Sequence, residues 1–131
     1  MSSIPDDRRY AETHEWVRLV DGVAIVGISA HAAAALTDLV IVDYCKEVGE
    51  DIEKDEEFGE VESVKASEPV ISPIPGVVTA VNDFEDEERL KLISESPYEE
   101  GWLIKIKPRN VADIDALLDA AGYRQYLDSE A

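Results

Sequence analysis

The chain has almost no sulfur: one cysteine, Cys45, and one methionine, Met1, among 131 residues. A single cysteine closes no internal disulfide, so a cystine-stapled scaffold is excluded and a reducing compartment suits the chain. Basic residues are also scarce, with 12 Lys and Arg against 30 Asp and Glu and a formal net charge of −18. Such a chain repels phosphate backbones and anionic lipid, which argues against nucleic-acid or membrane binding and favours partners with basic surfaces. No apolar run is long enough to span a bilayer, and the opening Met-Ser-Ser-Ile-Pro-Asp-Asp lacks the basic start and apolar stretch of an export signal. The expectation is a cytoplasmic protein with one domain over 1–131, long enough to bury a real core.

Familiar catalytic signatures are missing as well. There is no nucleophile elbow, phosphate loop or catalytic dyad, so no catalytic residue is assigned. His14 and His31 stand at no recognised ligand spacing from each other or from Cys45, and the acidic run Asp83-Phe84-Glu85-Asp86-Glu87-Glu88 lacks the glycine and alternating ligands of a calcium loop. No metal site is expected. Cys45 reads as a small packed residue.

What is present is a series of short strand-like runs. Residues 14–19 and 23–28 flank Asp21-Gly22, a hairpin turn. Ser29 is a suitable N-cap for an alanine-rich helix over 30–36, followed by Thr37-Asp38. A strand is expected over 39–44, then turns around a short strand near Gly49, a strand over 76–82 and another over 102–106. Asp83 to Arg89 reads as a helical turn or loop. Val111, Ile114, Leu117 and Leu118 recur at helical spacing through Ala121, with Gly122 as the stop and Tyr123, Tyr126 and Leu127 packing the tail back on the body.

The stretch Phe58-Gly59-Glu60-Val61-Glu62-Ser63-Val64-Lys65-Ala66-Ser67 stands out. It places Lys65 at the tip of a hairpin whose second arm runs through Val70, Ile71 and Ile74, punctuated by Pro69, Pro73, Pro75 and Gly76. A lysine held there is open to another enzyme. Its ammonium has to lose a proton before it attacks an activated acyl group, which a low-dielectric pocket in a modifying enzyme favours. The segments 48–64 and 70–81 each carry a glycine turn and two valine-rich runs, a weak internal echo across Lys65.

Glu62-Ser63-Val64-Lys65-Ala66, followed by Ser72-Pro73-Ile74-Pro75-Gly76-Val77-Val78, resembles the lipoyl-attachment hairpin of the glycine cleavage system H-protein family. Matching blocks extend over nearly the whole chain: His14-Glu15-Trp16-Val17, His31-Ala32, Asp38-Leu39-Val40, Ser96-Pro97-Tyr98 and Gly101-Trp102-Leu103. The resemblance implies a mostly β fold with flanking helices, a flattened lipoyl/biotinyl-type hybrid barrel-sandwich with an N-terminal hairpin-helix and a C-terminal helix. It also implies that Lys65 carries lipoate in amide linkage, that Glu62 is read by the lipoylating enzyme, and that Thr13 and Glu15 border the cleft where the arm docks. The chain is then a carrier and not an enzyme. Biotin is the near competitor, but biotinyl lysines usually sit between two methionines, and Val64 and Ala66 flank Lys65.

The chain departs from the family's pattern at Pro69, where an aspartate is usual, and at Ala33, Thr37, Leu92-Ile93 and Tyr44-Cys45-Lys46-Glu47. Grouped around a docking cleft, these changes would favour a cargo other than an aminomethyl group. They lean the expectation toward an H-protein-like carrier of bacterial sulfur oxidation working with a heterodisulfide-reductase-like complex. The alternative is the H protein of glycine cleavage, with the glycine cleavage enzymes and dihydrolipoamide dehydrogenase as partners. A second alternative is an unlipoylated interaction module.

Overall fold

The computed structural model describes residues 4–36 and 38–130. Asp21 and Gly22 both adopt left-handed backbone, with φ of 51° and 81°. This is the twist that joins β2 (Glu15–Val20) to β3 (Val23–Ile28) through a two-residue turn. The expected helix forms as α1 (Ala30–Ala35), with Ser29 Oγ accepting from Ala32 N at 3.3 Å. Thr37 lies outside the described residues.

The strands form two antiparallel sheets. The larger runs β1 (Arg9–Tyr10), β2, β3, β9 (Ile104–Pro108), β8 (Gly76–Val81) and β5 (Asp51–Ile52). The smaller runs β4 (Leu39–Tyr44), β6 (Glu57–Ser63) and β7 (Ser67–Ile71). Strands on the two sides of Lys65 pair in nested fashion, β6 with β7 in the smaller sheet and β5 with β8 in the larger. The echo in the sequence is therefore a repeated pairing across the hairpin. Alternate residues of both sheets fill one apolar core: Val17, Val26, Ile104, Ile106 and Val78 from the larger, Phe58, Val61 and Val70 from the smaller. Two sheets face each other as a sandwich, the hybrid architecture expected, and they do not close into a single barrel.

A second cluster seats the C-terminal tail. Tyr10 and Tyr123 stack with ring centroids 4.6 Å apart and 4° between planes, beside Trp16 and Ala120. Arg8 lies over Trp16 at 4.8 Å, and its guanidinium donates to Tyr98 O at 2.7 Å. Tyr126 and Leu127 join this cluster, as the expected packing of the tail requires.

Three element boundaries differ from expectation. Only 83–85 of the charged segment is loop; Asp86 Oδ1 accepts from Arg89 N at 2.8 Å and starts α2 (Glu87–Glu95), which buries Leu90 and Ile93 at helical spacing. The last strand begins two residues later than expected, at Ile104. The single helix expected over 111–121 is instead α3 (Ala112–Asp115), a break, and α4 (Ala120–Glu130). The break has a tertiary cause, because Leu118 exchanges backbone hydrogen bonds with Tyr10 at 2.8 and 3.0 Å. Asp119 Oδ1 then accepts from Gly122 N at 2.8 Å, so Gly122 lies inside the first turn of α4 and stops nothing. Among the described residues, no helix is long and apolar enough to cross a membrane.

Candidate functional site

β6 and β7 are joined through Val64, Lys65 and Ala66, at one end of the smaller sheet. A two-residue hairpin turn usually needs left-handed residues, yet neither Val64 nor Lys65 has positive φ, as β-branched Val64 would resist it. Ser63 supplies the closure instead. Its N–H donates to Ala66 O at 2.8 Å, while its hydroxyl accepts from Ala66 N and donates to Ala66 O, both at 3.1 Å. The turn is braced from outside by Asp38, at φ 55°, whose carbonyl accepts from Val64 N at 3.1 Å. The sequence reading did not single out either contact; a serine two residues before the lysine was the available signal for the first.

Lys65 itself is exposed, and Val64 beside it is 71 % exposed. Among the described residues, its ammonium takes part in none of the ion pairs. The strands that carry it bring Asp43, Glu57, Glu60, Glu62 and Glu68 and no other cation. Glu62 lies opposite Ser67 and Ile41 in register, on the face away from buried Val61. It is half-buried and within reach of a protein that approaches the lysine.

Thr13 and Glu15 stand at the other end of β7. Glu15 is 2 % exposed. Its Oε2 accepts from Ile71 N at 3.2 Å, and its Oε1 accepts from the Thr13 hydroxyl. The carboxyl thereby latches the free edge of β7, in the smaller sheet, onto β2 in the larger. From Lys65 to Ile71 the chain runs about 20 Å at roughly 3.3 Å per residue, so the structure places Lys65 and Glu62 together and Thr13 with Glu15 apart from them. Burial pushes the Glu15 carboxyl up to about 7, outweighing the Thr13 hydroxyl and Ile71 N–H that hold it down.

The pH dependence follows with a definite sign. A carboxyl raised above its ordinary 4.5 favours the protonated fold, so its stability contribution is complete below that value and is lost as pH rises through about 7. Between pH 5 and pH 8 the native protein is expected to lose roughly 2–3 kcal/mol relative to Glu15→Gln. Urea titrations of both proteins at the two pH values check this; equal pH slopes would contradict it.

The described departures from the family pattern do not all lie together. Ala33 and Ile93 are buried in the main core, and Tyr44 packs against it while its hydroxyl donates to Leu103 O at 2.8 Å. Cys45 is exposed, with Sγ donating to Glu57 O at 3.3 Å, and is not the packed residue expected. Only Pro69 lies on β7, exposed and opposite Glu60. A proline is accommodated there because β7 is an edge strand that leaves an N–H without a ladder partner. Pro69 therefore stands apart from Ala33, Ile93 and Tyr44, which share the main core.

Comparison with known proteins bears on the same point. The family model described as "Glycine cleavage H-protein" matches residues 8–130. The glycine cleavage system H protein of Chromobacterium violaceum is 50 % identical over 124 residues, covering 94 % of this chain and 95 % of the relative. That of Thermus thermophilus is 43 % identical over 128 residues, 98 % of each chain. Among solved structures, a glycine cleavage system H protein from Mycobacterium marinum superposes with a TM-score of 0.83 at 36 % identity, covering 95 % of this chain and 99 % of that one. These findings support the glycine cleavage alternative over the sulfur-oxidation reading. The chain belongs to the glycine cleavage H-protein family.

Proposed function

We propose that Lys65 carries lipoate in amide linkage and that the chain serves glycine cleavage as a mobile carrier, with no catalysis of its own. The observation that carries this reading is the placement of one exposed, unpaired lysine at a braced turn in a member of this family. The residues fit the group. The amine lies at the turn between β6 and β7, among the described residues no carboxylate or carbonyl is its partner, and the exposed surface around it admits a modifying enzyme. Bound there, lipoate supplies a dithiol that accepts a one-carbon cargo and exchanges electrons.

The rest of the work belongs to the protein. Ser63 and Asp38 hold the tip so that the arm pivots from a fixed point. The acidic strands beside it attract basic faces of the lipoylating enzyme, the glycine cleavage enzymes and dihydrolipoamide dehydrogenase. Thr13, with the buried Glu15 carboxyl behind it, forms the polar end of the surface along β7, where the cargo is shielded from water between partners.

Lipoylation tests the reading first. Incubation with a lipoylating enzyme and activated lipoate is expected to add one lipoyl group, by intact mass, at Lys65. Glu62→Gln is expected to slow that modification at least tenfold while stability stays within about 1 kcal/mol, because the substitution keeps the side chain's size at a half-buried position. Lipoylation at the native rate in this variant would remove Glu62 from recognition.

A further inference from the structure

Far from Lys65, the fold brings together two histidines that are distant in sequence. His14, in the connection between β1 and β2, and His31, in the first turn of α1, have ring centroids 4.8 Å apart. Glu130, in the last turn of α4, places Oε1 3.7 Å from His14 Nε2. We propose that His14, His31 and Glu130 bind one divalent transition-metal ion, Zn²⁺ being the ion this donor set suits.

Two of the three pair separations have the dimensions of such a site. Nitrogen and oxygen ligands each about 2.1 Å from zinc lie roughly 3.4 Å apart at a tetrahedral angle, and imidazoles sharing one ion have centroids roughly 5 Å apart. Both separations are close to those here. Two imidazoles and a carboxylate are also a donor set that zinc prefers and magnesium or calcium does not.

Two of the three ligands are already oriented by tyrosines. The Tyr123 hydroxyl lies 2.8 Å from His14 Nδ1 and 2.7 Å from Ser29 Oγ. In the arrangement the proposal requires, the hydroxyl accepts from Nδ1–H and donates to Ser29, which leaves the Nε2 lone pair free for the ion. The Tyr126 hydroxyl donates to Glu130 Oε2 at 3.1 Å and leaves Oε1 facing His14. The final approach falls to exposed side chains. Among the described residues, no group of three His, Cys, Asp or Glu side chains is placed to hold a metal ion as it stands, so the site requires His31 and Glu130, both exposed, to turn inward. The ion would clasp the end of α4 to α1 and the β1–β2 connection. This inference does not depend on the lipoyl reading.

Titration of the full, unlipoylated chain with ZnCl2 by isothermal calorimetry, after chelator treatment, tests it. The expected result is binding at one ion per chain that persists in Cys45→Ser, weakens at least tenfold in His31→Ala, and weakens several-fold in Tyr126→Phe. His31 is the variant of choice because it is exposed, whereas His14 supports Tyr123. The ring C–H resonances of both histidines are expected to shift with Zn²⁺ and not with MgCl2. No heat up to about 0.1 mM ZnCl2, unchanged affinity in His31→Ala, loss of binding in Cys45→Ser, or an equal response to MgCl2 would each overturn the proposal.

Discussion

Lys65→Arg is expected to abolish lipoylation completely, with no mass gain after exhaustive treatment, while leaving the fold and its stability within about 0.5 kcal/mol. The substitution separates charge from chemistry. Arginine keeps the positive charge that Lys65 places among Asp43, Glu60 and Glu62, so electrostatic attraction of a partner is preserved. It cannot supply the neutral amine that attacks an acyl group, because a guanidinium stays protonated in proteins. Stability is spared because the Lys65 side chain is exposed and makes no ion pair, the turn being closed by Ser63 and Asp38 through backbone and hydroxyl bonds. A remaining mass gain would locate the modification on another lysine, and peptide mapping would find it. A fall of several kcal/mol in stability would mean that the tip is held by Lys65 itself.

Gly76→Ala should produce the largest loss of stability among single methyl additions. A Cβ at Gly76 would stand 2.2 Å from Lys107 O and 2.6 Å from Ile106 Cγ2. The first is the backbone of β9, paired in register with β8, and it cannot yield without opening the ladder. Overpacking against an immovable backbone costs on the order of 3 kcal/mol, and for a domain this size the midpoint of thermal unfolding should fall by about 10 °C. Gly49→Ala is the informative control. Unlike Gly76 it has positive φ, at 97°, but nothing lies within 4 Å of its Cβ, so only backbone strain of about 1 kcal/mol is expected. Equal losses in the two variants would show that the close approach of β8 to β9 yields to a methyl group and does not govern Gly76.

Much of this was legible in the sequence, and the reason is local. Asp21-Gly22 and Ser29 announce their turn and cap by chemistry that operates within a few residues, and both are found as expected. The β-branched apolar run 39–44 declares a strand for the same reason. The errors fall where distant contacts decide. Nothing near Leu118 says that its backbone will pair with Tyr10, yet that pairing splits the C-terminal helix and moves Gly122 inside one. Likewise the charges around Asp86 conceal the buried stripe of Leu90 and Ile93.

The site shows the same division. Lys65 and Glu62 belong to one hairpin, and their association was readable because a hairpin is a local object. The latch from Glu15 to Ile71 crosses between sheets, and no spacing in the chain foretells it. The departures from the family pattern divide for a related reason: Ala33, Tyr44 and Ile93 meet at the main core, whereas Pro69 lies apart on its edge strand, a separation that no spacing in the chain foretells.

The most direct test of the carrier role is intact mass of the Lys65-lipoylated protein after reduction and incubation with glycine and pyridoxal-phosphate-loaded glycine decarboxylase. The account predicts a second, stoichiometric mass increase that depends on glycine and is absent from the unlipoylated protein. No increase, with the lipoyl group confirmed and the decarboxylase active toward another family member, would contradict a role in glycine cleavage and leave a lipoyl carrier for different cargo.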